Sequence, residues 1–106
     1  MKINWNIDMP DNETVYTCST SKAHYYVCKI PARQQEMLCG QLMKQRLSTS
    51  WVNGIIDDLE KINVDGDKYP LFEDIDYCTK KTKRLSHIYL LYSSEDAVLY
   101  VVEDLD

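Results

Sequence analysis

Cys18, His24 and Cys28 are the residues whose types and spacing come nearest to a chemical centre in this chain, at intervals of six and four. Their even separation puts His24 and Cys28 on one face of a strand, with Cys18 across a hairpin. Thiolates and imidazole are zinc ligands, but structural zinc sites pair cysteines at roughly two to four residues, and no such pair exists here. Cys39, Cys78 and His87 are the only other ligands of these two types. As a nucleophile, Cys28 would need His24 as its base. No nucleophile elbow or phosphate loop accompanies them. A small enzyme or zinc-binding module at Cys18, His24 and Cys28 is therefore the alternative reading. The leading expectation is no catalysis, no cofactor and no metal.

Carboxylates are the second candidate chemistry. Asp65-Gly66 invites a calcium-loop test. With Gly66 at the sixth position, Lys61 and Phe72 fall where carboxylates are required, so the loop fails. The remaining acids come as adjacent pairs such as Asp57/Asp58, Glu95/Asp96 and Glu103/Asp104. Adjacent carboxylates do not flank a cleft as hydrolytic pairs do. They make a surface field instead. Residues 57–76 hold eight acids against Lys61 and Lys68, whereas the first 53 residues are slightly basic. The expected partner surface is Asp57, Asp58, Glu60, Asp65, Asp67, Tyr69, Glu73, Asp74, Asp76 and Tyr77. A formal net charge of −5 opposes nucleic acid and anionic membranes and favours a basic protein. Lys80-Lys81-Thr82-Lys83-Arg84 is the counter-signal, read as a solvated loop pairing with Glu73, Asp74 and Asp76. Eight tyrosines against one phenylalanine suit partly wet contacts.

These groups need a scaffold. The 106 residues suffice for one domain, 1–106, with 44% hydrophobic residues and few glycines or prolines. Ile3, Trp5 and Ile7 alternate with Lys2, Asn4 and Asn6, which predicts a strand. Thr14–Cys18 and His24–Ile30 predict two more, joined at Ser19-Thr20-Ser21-Lys22. Pro31 opens a helix predicted over Ala32–Leu47, with Leu38 and Leu42 on its apolar stripe and Gly40 as its weak point. Ser48-Thr49-Ser50 supplies caps for a second helix, Trp51–Ile62, whose stripe is Trp51, Ile55, Leu59 and Ile62. The short link predicts a helical hairpin. Leu71–Tyr77 reads as a short strand or helical turn. Ile88–Tyr92 and Ala97–Val102 flank Ser93–Asp96 as a hairpin apolar on both faces, hence central. The order β-β-β-α-α-β-β implies α+β: about five mainly antiparallel strands with the two helices on one face.

The amino terminus lacks a signal-peptide pattern, and the longest apolar run is too short for a membrane span. The cysteines are expected free in a cytoplasmic protein. In size, charge and lack of motifs the chain resembles the small acidic inhibitors that phages direct against host defence nucleases, including anti-CRISPR proteins. That resemblance implies a nucleic-acid mimic acting in the host cytoplasm by steric block. A structural homodimer is the third reading.

Overall fold

A strand apolar on both sides must lie where both sides are covered. The computed structural model, which describes residues 5–105, puts the Ile88–Tyr92 segment there. The strands are β1 (Glu13–Ser19), β2 (Ala23–Lys29), β3 (Met43–Lys44), β4 (Tyr77–Lys83), β5 (Ser86–Ser93) and β6 (Val98–Asp104). They form one antiparallel sheet in the order β1-β2-β6-β5-β4-β3. The β5–β6 hairpin is central, as its composition predicts. The sheet has six strands rather than about five.

Two helices cover it, α1 (Gln35–Cys39) and α2 (Thr49–Lys61). They do not form a hairpin on one face. Ile55 and Leu59 of α2 and Ile62 at its C-cap pack on Tyr25, Tyr89, Leu91, Tyr100 and Val102. Leu38 of α1 and the nearby Leu42 pack on the other face, against Cys28, Leu90, Leu99 and Val101. The reason lies in β5 and β6, whose side chains are apolar in both directions. Burying each aliphatic side chain stabilises by about 1.5–3 kcal/mol, so neither face can be left bare.

The predicted helix over 32–47 stops early. A 3-10 turn, Ala32–Gln34, leads into α1, and Gly40 is its C-cap. Beyond it the Gln41 side chain clamps the Asp8 backbone, accepting from N at 2.8 Å and donating to O at 2.7 Å. Met43 and Lys44 then pair with Cys78 and Tyr77 as the edge strand. Ladder bonds and a side-chain clamp outweigh a helix that Gly40 weakens by about 1 kcal/mol. The α2 helix follows its prediction closely. Ser48 Oγ accepts from Trp51 N at 3.2 Å, and the predicted stripe faces the sheet.

The predicted first strand is not found among the described residues. Residues 5–12 have no regular structure, and Asn6 has φ +56°, which breaks an extended run. Lys2, Ile3 and Asn4 lie outside the described residues. The basic run is not a loop either: Lys80–Lys83 belong to β4, and the tight turn follows at Arg84-Leu85. Leu71–Tyr77 contains a 3-10 turn, Phe72–Asp74. All four cysteines are free thiols. No described helix is long and apolar enough to cross a membrane.

Candidate functional site

The α2 helix presents two faces with different chemistry. Its outer face continues into the connector toward β4 and carries six exposed carboxylates: Asp57, Glu60, Asp65, Asp67, Glu73 and Asp74. Among the described residues none of the six makes an ion pair. The two lysines of the segment are drawn aside. Lys61 Nζ lies 2.9 Å from Asp104 Oδ2, and Lys68 Nζ sits 5.6 Å from the Tyr16 ring centroid. The expected pairing with the basic run does not form among the described residues. Lys80 Nζ instead lies over the Tyr89 ring, and Lys81 Nζ donates to Trp5 O at 3.3 Å. Tyr69 is half-buried within this face; burial pushes its phenol up, with the Glu60 charge adding.

Three other residues predicted for this surface sit elsewhere. Asp76 is a structural acceptor: Ser94 N donates to Oδ1 at 2.9 Å, and Ser94 Oγ donates to Oδ2. Tyr77 packs with Tyr92 toward the α1 side of the sheet, ring centroids 6.5 Å apart. Asp58 is buried at 5% exposure.

Asp58 belongs to a cluster that the sequence reading missed. Its Oδ2 and His87 Nε2 share a 2.7 Å hydrogen bond. His87 stands opposite Asp104 in the β5–β6 ladder, and Nε2 is 3.8 Å from Asp104 Oδ2. Lys61, three residues on from Asp58, donates to the same Asp104 Oδ2 at 2.9 Å. Both carboxylates are nearly excluded from water, whereas His87 and Lys61 keep partly exposed side chains. Burial raises the Asp58 carboxyl above its usual range, the His87 bond and charge oppose that, and the Asp104 charge adds to it. The ligand atoms of Asp58, His87 and Asp104 all lie within 4.8 Å of one another. The signal was in the spacing. Asp58 falls inside the Ile55–Leu59–Ile62 stripe, and Asp104 continues the Val98–Tyr100–Val102 alternation toward the same side.

Cys18, His24 and Cys28 do not converge. Cys18 packs on the α2 side, with Sγ donating to Ile62 O at 3.6 Å. Cys28 packs on the other side, and burial raises its thiol. His24 stacks on Tyr26, ring centroids 6.0 Å apart. An even separation keeps two residues on one strand face, but Cys18 in the paired strand points the opposite way. That second face also holds a cleft of about 730 Å³, bounded by Trp5, Tyr26, Leu90, Val101 and Glu103. Trp5 Nε1 donates to Glu103 Oε2 across it at 2.6 Å.

The chain matches no protein-family model, no curated protein and no solved structure.

Proposed function

We propose that this protein is a non-enzymatic binding module that docks its acidic face onto a basic, nucleic-acid-binding protein and blocks it. The observation that carries this reading is the set of six exposed carboxylates without ion pairs among the described residues. Two of them, Asp57 and Glu60, stand on a helix. The others follow in two short 3-10 turns and their flanks, which hold them close to that helix. Duplex DNA offers about one charge per 1.7 Å of its axis, and a groove evolved for phosphate accepts carboxylates spread in this way. Half-buried Tyr16 and Tyr69 and exposed Leu71 border the acids and supply the apolar contact that charge alone lacks.

The test is affinity capture on the immobilised protein, followed by a binding assay on whatever is retained. Reversing Asp57, Glu60, Glu73 and Asp74 to Lys should weaken that binding by about tenfold or more and flatten its salt dependence. Reversing Asp8, Asp11 and Glu13, which are exposed near the N-terminal arm, should leave it within about twofold. Equal losses from the two sets would refute the assigned face.

A further inference from the structure

We infer that Asp58, His87 and Asp104 form a binding site for one divalent transition-metal cation, zinc being the best match, between α2 and the ends of β5 and β6. The donors come from three separate elements. His87 and Asp104 are a cross-strand pair in the central hairpin, and Asp58 is held over them by the buried Ile55 and Leu59 that flank it on α2. All three ligand atoms lie within 4.8 Å of one another. Ligands arranged tetrahedrally about zinc at about 2.0–2.2 Å stand roughly 3.3–3.6 Å apart. His87 Nε2 is 2.7 Å from one carboxylate oxygen and 3.8 Å from the other, so those spacings bracket the required value.

The electrostatics point the same way. Two carboxylates with 7% side-chain exposure share one edge of an imidazole. Buried like charges are stabilised by positive charge placed between them. A dication bound to both oxygens and to the neutral imidazole supplies it at a single point. One nitrogen and two oxygens, with no thiolate, suit zinc, and the imidazole disfavours magnesium and calcium. Three protein ligands leave a fourth position for water on the partly exposed side of His87. Lys61 is the built-in competitor. Its ammonium sits 2.9 Å from Asp104 Oδ2, and its side chain is one-third exposed at the last residue of α2, so it can swing outward as the cation enters.

The experiment is a zinc titration of chelator-stripped protein, read by competition with a chromophoric chelator and by thermal melting. One equivalent should bind. Zinc at about a hundredfold above Kd should raise the melting temperature by roughly 10 °C. His87→Ala and Asp58→Asn should each weaken binding at least tenfold. Lys61→Gln removes the competitor, replaces none of the three ligand residues and should tighten it. Cobalt in place of zinc should give visible ligand-field bands without a thiolate charge-transfer band. Failure of the parent protein to bind one equivalent overturns the inference. So does unchanged or weaker binding in Lys61→Gln, a test that stands even if the ligand variants fail to fold. A thiolate band would move the metal to the cysteines and overturn it equally.

Discussion

Gly54 of α2 faces the hydroxyl of Tyr89 so closely that a Cβ on Gly54 would lie 2.6 Å from Tyr89 Oη. The tyrosine ring has little room to yield. It is 3% exposed, with Trp51 and His87 edge-on to it and Lys80 over it. This contact sets how near α2 lies to the sheet, and so how near Asp58 lies to His87. Gly54→Ala should therefore destabilise by about 1 kcal/mol: overpacking of about 1–3 kcal/mol exceeds the helix-propensity gain of up to about 1. In a Tyr89→Phe background the same change should stabilise by about 0.5–1 kcal/mol. Urea unfolding of the four proteins in this cycle measures the coupling. A Gly54→Ala effect independent of residue 89 would disprove the contact.

His87 should matter more than Lys61. His87→Ala leaves Asp58 and Asp104 buried against each other, which should cost about 2–4 kcal/mol. Lys61→Ala removes a partly solvated charge and should cost less than about 1 kcal/mol. Urea midpoints at pH 7 compare them. Equal losses would mean that His87 is not the main hydrogen-bonding partner of the pair.

Asp76 and its acidic neighbours should separate stability from binding. Asp76→Ala strips Ser94 N and Oγ of their acceptor and should cost about 1–3 kcal/mol. Partner affinity should be untouched wherever the protein is folded. Glu73→Lys and Asp74→Lys should do the reverse, with stability within about 0.5 kcal/mol of the parent and affinity reduced. Thermal melts alongside the capture assay make the comparison. An Asp76 variant that is stable but fails to bind contradicts the assignment.

Alkali should unfold the protein earlier than its surface charge alone would suggest. Burial raises the thiols of Cys28 and Cys78 above the ordinary 9.0, and the phenols of Tyr25, Tyr92 and Tyr100 above the ordinary 10.0. Each group holds its proton more tightly folded than unfolded. Between the ordinary and raised values the folded state binds more protons, so stability falls as pH climbs through that window. Below it the contribution is fully present. Urea midpoints should drop steadily from about pH 8.5 to 10.5, and the native protein should react slowly with a thiol reagent at Cys28 and Cys78. A flat midpoint over that range would contradict the burial of these groups.

Local pattern alone determined the parts whose partners are near in sequence. The Ile55, Leu59 and Ile62 spacing and the Ser48 cap place α2 to within two residues of Thr49–Lys61. The two-sided apolar runs place the β5–β6 hairpin at the sheet's centre. The acidic face was legible because exposed charge needs no partner to be read. What the tertiary structure decided was every relationship between distant residues. Whether Ala32–Leu47 stays helical depends on Gln41 meeting Asp8 and on Met43 meeting Cys78. Whether the helices share a face depends on the sheet needing cover on both. Periodicity turns Asp58 and Asp104 inward, but Asp58, His87 and Asp104 stand twenty-nine and then seventeen residues apart, and no local pattern joins them. Only the packing of α2 over the β5–β6 ladder buries them together, because burial and electrostatic coupling depend on distance in space and not on separation along the chain.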